Sequence, residues 1–200
     1  KEIWVRKSFD FPAATSIATV ALGSGKLWVS YYLKNRFLNN CKLVVFSAAD
    51  GQVAFEPLFP GMTSALTLAG GKAYASPQHG EGACIAFDAG TGKDLGEIKA
   101  GTSNKGVTRI GGKCTPIIAT PNLLSARLAA CSGVLNLDGG KAVTFPSTRP
   151  TCFLPPVPSY ARFYLLAPSC NCPYLFRSHL ALGAGKPSSP ATGERLAQGP

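Results

Sequence analysis

Histidine, methionine and acid are scarce in this chain of 200 residues: two His, one Met and ten Asp plus Glu. Each shortage removes a class of function. His79 and His179 have no credible neighbouring nucleophile, so no Ser/His/Asp set assembles. The scattered acids offer no paired carboxylates for glycoside chemistry. No apolar run approaches the ~18 residues that mark a membrane-spanning helix. Helical spacing of apolar residues is also missing, because Pro or Gly interrupts most windows. There is no Cys-Cys dipeptide and no Cys-x-x-Cys-His, which excludes covalent c-type haem. Gly90-Thr91-Gly92-Lys93 and Gly139-Gly140-Lys141 lack the GxxxxGK(S/T) frame of a phosphate loop and read as hairpin turns.

What is present is short strands and tight turns. Hydrophobic residues make up 46% of the chain and charged residues only 15%, with 22 Gly and 16 Pro as punctuation. A unit recurs. Gly70-Gly71-Lys72-Ala73-Tyr74-Ala75, then Cys84-Ile85-Ala86-Phe87-Asp88 and Gly90-Thr91-Gly92, reads as strand, hairpin, strand, turn. Gly23-Ser24-Gly25-Lys26-Leu27-Trp28-Val29 with Leu43-Val44-Val45-Phe46 and Asp50-Gly51 is an earlier copy. Lys26 and Lys72 lie 46 residues apart, and the turn acids Asp50 and Asp88 lie 38 apart. The difference of 8 predicts an insertion around Lys34 to Asn40. Both separations bracket the ~40–45 residues of a four-stranded propeller blade.

Two looser copies follow, Asn122–Lys141 and Arg162–Leu182. Leu123 to Ala130 has the best helix propensity in the chain but sits where the repeat wants a strand. Glu2-Ile3-Trp4-Val5 reads as the outer strand of a preceding blade. The expected fold is therefore all-β: about four β-propeller blades of antiparallel four-stranded sheets, part of a larger or dimer-completed propeller. Residues 1–185 form the propeller portion, and 186–200 form a Gly/Pro/Ser-rich tail or linker. Lys1 rather than Met opens the chain, which suggests a removed leader or an excerpt.

The net charge is +10, but its cations are scattered singly and no nucleic-acid motif accompanies them. After Asp138 the only acid is Glu194, against Lys141, Arg149, Arg162, Arg177, Lys186 and Arg195. Arg149 and Arg162 are candidate anion-binding residues on that basic third. Seven Cys, four of them between Cys131 and Cys172, point to an oxidising compartment, a periplasm or cell surface. C-x-C without an adjacent His is a poor zinc pattern, so no metal is expected. Cys170 and Cys172 would share one strand face at the edge of disulfide reach. The expected pairings instead join Cys152 to one of them and Cys114 to the other. Cys84 is expected to be buried and inert. His79, beside Glu81, is placed on a solvent-facing hairpin tip and His179 on a strand in a structural role. Trp28, Tyr31, Tyr32 and Tyr74 are read as blade packing ahead of a ligand channel.

The turn Phe87-Asp88-Ala89-Gly90-Thr91-Gly92-Lys93 after a Tyr-bearing strand resembles the blade signature of pyrroloquinoline-quinone-like propeller repeats, and Ser47-Ala48-Ala49-Asp50-Gly51 is similar to it. Gly112-Lys113-Cys114, Arg149-Pro150-Thr151-Cys152 and Cys170-Asn171-Cys172-Pro173-Tyr174 resemble a Cys-bearing blade of bacterial envelope members. The resemblance spans roughly residues 1–185 and implies the propeller fold, export, and either a scaffold or a quinoprotein dehydrogenase. Quinone-using members carry adjacent cysteines, a Trp under the quinone and a Glu/Asn/Asp calcium set. Here Cys170-Asn171-Cys172 has an intervening residue, so no cofactor is expected. The favoured function is a non-catalytic binding or scaffold module of the envelope, its partner a protein or further blades. The alternatives are a quinoprotein oxidoreductase fragment and an anion or polysaccharide binder.

Overall fold

The computed structural model describes residues 4–5, 14–33, 41–59, 63–77, 84–101, 107–108, 110, 116–128, 131–145, 148, 155–160, 162–166 and 179–183. Among these every regular element is a strand. The first sheet runs β1 (Ala14–Gly23), β2 (Lys26–Leu33), β3 (Cys41–Ser47) and β4 (Val53–Phe55), hydrogen-bonded in chain order. The second runs β5 (Thr63–Ala69), β6 (Lys72–Pro77), β7 (Ile85–Asp88) and β8 (Asp94–Glu97). A ribbon of β9 (Ala100–Gly101) and β10 (Val107–Thr108) precedes the third sheet, β11 (Ile118–Ala119), β12 (Leu123–Leu128), β13 (Cys131–Asn136) and β14 (Ala142–Phe145). The fourth shows β15 (Val157–Ser159), β16 (Arg162–Leu165) and β17 (Leu180–Gly183) among the described residues. All pairings are antiparallel. This is an all-β chain of propeller blades, and the helix-prone stretch from Leu123 is a strand through Leu128.

One turn closes each of the first three blades, and its hydrogen bonds fix their equivalence. Gly51 N donates to Ser47 O, Gly92 N to Asp88 O and Gly140 N to Asn136 O, each at 2.9 Å. These glycines have φ of 70°, 73° and 65°, a left-handed geometry that a Cβ resists. The equivalence corrects the expected phase of the repeat. Asp88 matches Ser47, and Asp50 matches Thr91, so the turns lie 41 residues apart (Gly51 to Gly92) rather than 38. The reason is chemical. Asp88 Oδ1 accepts from Thr91 Oγ1 at 2.7 Å and from Thr91 N at 2.8 Å, while in the first blade Asp50 bonds back to Ser47. A hydroxyl and a carboxylate clamp the same turn in either order, so the aspartate changes ends.

Packing follows the alternation of the strands. Trp28, Leu43 and Val45 of the first sheet meet Leu66, Ala73, Ala75 and Phe87 of the second. The opposite face of the second sheet, with Tyr74, Cys84 and Ala86, meets Leu124, Ala126, Leu128 and Leu135 of the third. Trp28 spans the first joint, with Nε1 3.3 Å from Ala89 O and its ring at 5.5 Å from Phe55 and 6.0 Å from Phe87. Each such side chain contributes about 1.5–3 kcal/mol by burial, so the blades hold one another rather than themselves. At the inner edge β1 lies beside β5, and β5 beside β11.

Of the outer strand expected over Glu2 to Val5, Glu2 and Ile3 lie outside the described residues, and Trp4 and Val5 carry no strand assignment. Trp4 packs on the first blade, tilted against Phe46 at 6.5 Å.

Candidate functional site: the half-covered face of the first blade

Each blade turns one face toward its predecessor, and the inner strand supplies two positions to it. Cross-strand register sets Val20 opposite Val29 and Leu22 opposite Leu27, just as Leu66 stands opposite Ala75 and Leu68 opposite Ala73. In the third blade Ala119 pairs with Leu124, which places Ile117 and Ala119 at the same two positions. Leu66 is 7% exposed and Ile117 is 3% exposed, because the preceding blade covers them. Val20 is 51% exposed and Leu22 is 69% exposed. Ile17, opposite Tyr31 on the same face, is exposed as well. The first blade therefore shows an exposed apolar row at its inner edge where its sister blades are buried or half-buried.

Farther out, the same face is buried. Val29, Tyr31, Val44 and Phe46 form their own cluster, with Leu27 and Leu33 packed on it. Trp4 closes its outer end: Nε1 donates to Ala48 O at 3.1 Å, and the ring lies over Gly51. The result is a sheet face sealed at the rim and open toward the axis.

Burial holds one thiol and two phenols inside the blades neutral. Burial, reinforced by Glu97, pushes the Cys84 thiol up to about 12, so the expected inert cysteine is one. Tyr74 is raised by burial and then by Cys84 and Asp138, and Tyr31 by burial and then by Glu56 and Cys41. Trp28, Tyr31 and Tyr74 are core, as expected, and Tyr32 is half-buried. Ser30 Oγ and Cys41 Sγ are hydrogen-bonded at 3.3 Å.

The candidate disulfide cysteines Cys114, Cys152, Cys170 and Cys172 lie outside the described residues, as do His79 and Arg149. Arg162 is exposed on β16, opposite Gly183. His179 is exposed and directly precedes β17 rather than lying on it. Among the described residues no group of three or more His, Cys, Asp or Glu is placed to hold a metal.

Sequence reasoning missed Arg127, a buried cation that stands where the earlier blades place Ser30 and Ser76. It faces away from the second blade, directly opposite Ser132, on the side where Ser125 Oγ donates to Pro156 O. Ser132 Oγ is fully buried with no hydrogen-bond partner among the described residues. Aligning the third copy by its turn glycine, Gly140, would have exposed the Ser-to-Arg exchange.

No family model and no curated protein matches the chain. Solved structures do. It is similar to the computationally designed Ika4 protein at 11% identity and a TM-score of 0.59, covering 85% of this chain and 92% of that one. It is also similar to BamB from Moraxella catarrhalis at 16% identity and a TM-score of 0.48, covering 74% of this chain and 39% of that one. A europium-containing methanol dehydrogenase aligns at 13% identity and a TM-score of 0.41, over 66% of this chain and 25% of that one. The chain thus spans well under two thirds of these two natural proteins.

Proposed function

We propose that this chain is a non-catalytic binding or scaffold module of the bacterial envelope, which engages a protein partner through the open inner edge of its first blade. One observation carries the reading. Val20 is exposed where the second and third blades bury Leu66 and Ile117 against a neighbouring sheet, and Leu22 is exposed where they half-bury Leu68 and Ala119. An apolar row bordered by a finished core favours a partner that lays a sheet or an extended strand along it. The envelope location rests on the cysteine density of the sequence and on its resemblance to Cys-bearing blades.

A quinone cofactor does not fit the residues present. Trp28, the one tryptophan inside a blade, is fully buried between two sheets with its N–H on Ala89 O, and offers no open ring for a planar cofactor to lie on. The sequence also lacks adjacent cysteines.

The test is site-specific photo-crosslinking in cells that make the protein. A photoreactive residue at Leu22 is expected to give discrete protein adducts, and the same probe at exposed Asp94 is expected to give none. Adducts absent at Leu22, or equal at both positions, would remove the reading.

A further inference from the structure

Two residues of the first blade converge on the turn of the second. Trp28 Nε1 donates to Ala89 O at 3.3 Å, and the Phe55 ring lies so close over Gly92 that a Cβ there would collide with it. The two rings meet edge to face at 5.5 Å. Together they form the clasp by which one blade holds the next: one N–H for a turn carbonyl, one aromatic plane for a bare glycine.

Ala48 and Gly51 occupy the places of Ala89 and Gly92 on the first blade's own turn. The socket is therefore the same, but no earlier blade reaches it among the described residues. Trp4 supplies both halves of the clasp. Its Nε1 donates to Ala48 O at 3.1 Å, and a Cβ built on Gly51 would stand 2.6 Å from its Cδ2. The same ring rests on Phe46, the outer member of the apolar cluster on that face.

We infer that Trp4 is a strap standing in for a preceding blade, which plugs the blade-docking socket of the first sheet and thereby keeps a second copy of this chain from packing there. This concerns the outer end of the face and stands independently of the partner reading for the inner end. The physical basis is that the socket accepts a flat ring bearing an N–H donor, and any second copy carries blades built to fill such sockets. With the ring withdrawn, Ala48 O loses its donor and Phe46 loses an aromatic neighbour, leaving at the outer end of the face a socket that a ring from another copy can enter.

Trp4→Ala and Trp4→Phe on the full 200-residue chain test this, by hydrogen exchange and sedimentation velocity over a wide concentration range. Trp4→Ala is expected to speed exchange at Ala48 and Gly51 by about tenfold while leaving Ala89 and Gly92 unchanged. It is also expected to create a concentration-dependent dimer. Trp4→Phe keeps the ring over Gly51 and stays monomeric, with a smaller gain in exchange at the first turn. Unchanged exchange at the first turn overturns the strap, and so does equal acceleration on both turns, which reports global loosening. A Trp4→Ala chain that exchanges faster locally yet stays monomeric at every concentration overturns the gating of self-association.

Discussion

Replacing Trp28 measures how strongly one blade depends on the next. Its side chain is fully buried, donates to Ala89 O across the joint, and touches Phe55 of its own sheet and Phe87 of the second. Truncation to Ala removes a large aromatic from a packed site, a change that costs about 3–5 kcal/mol. That is a large share of the roughly 5–15 kcal/mol available to a folded domain, so Trp28→Ala is expected to leave little folded protein. Trp28→Phe is the readable variant. It keeps a ring but leaves Ala89 O without its donor and opens part of the indole volume, which together cost about 2 kcal/mol. At roughly 2–4 °C per kcal/mol for a chain of this size, its midpoint is expected to fall by about 4–8 °C. Urea unfolding followed by tyrosine fluorescence and circular dichroism supplies the free energy, with an unchanged m-value confirming that the same structure unfolds. A Trp28→Phe chain as stable as the parent would refute a joint built on this residue. A Trp28→Ala chain that loses less than about 1 kcal/mol would refute it more strongly.

Three further outcomes are expected. Val20→Ala is expected to cost under about 1 kcal/mol and Leu66→Ala about 2–5 kcal/mol, because the same repeat position is open in one blade and covered in the other; equal costs by urea titration contradict the open edge. Gly71→Ala, with φ of 73° and open space around it, is expected to cost about 1 kcal/mol, and Gly92→Ala clearly more because Phe55 blocks it, with the excess disappearing in a Phe55→Ala background. Ionisation couples to folding at both ends of the pH range. Cys84 is raised from 9.0 to about 12, so the stability tied to its neutral thiol is complete below pH 9 and is lost as pH climbs toward 12. It should stay unlabelled by thiol reagents in the native chain at neutral pH. Asp50 is lowered chiefly by the Gln52 N–H and Asp88 chiefly by the Thr91 hydroxyl, so their stabilisation is present above 3.8 and fades as pH falls below it. Asp88→Asn is expected to flatten that acid limb.

The repeat made most of the fold legible. Strands alternating with Gly-bearing turns identified β2, β3, β6 and β7, and the periodic context overrode helix propensity at Leu123 to Leu128. Burial of Trp28, Tyr74 and Cys84 followed from their places on those strands. The phase of the turn did not follow, because matching aspartates misled where Ser47–Asp50 and Asp88–Thr91 exchange the acid and the hydroxyl. The open edge was also invisible in one dimension. Val20 and Leu22 look like any core strand residues, and only their exposure in the folded chain distinguishes them from Leu66 and Leu68. The local pattern around Trp4 points to a preceding blade, but the socket it fills is at Ala48 and Gly51, too far along the chain for that pattern to show. Arg127 carried a signal only after the third turn fixed the register of β12.

Hydroxyl-radical footprinting of the purified chain, resolved at Val20, Leu22, Leu66 and Ile117, tests the central claim most directly. Stacked blades with one unfinished face predict rapid oxidation at Val20 and Leu22 and strong protection at Leu66 and Ile117. Protection at all four would mean that the first blade's inner edge is covered, and oxidation at all four would mean that the blades do not stack.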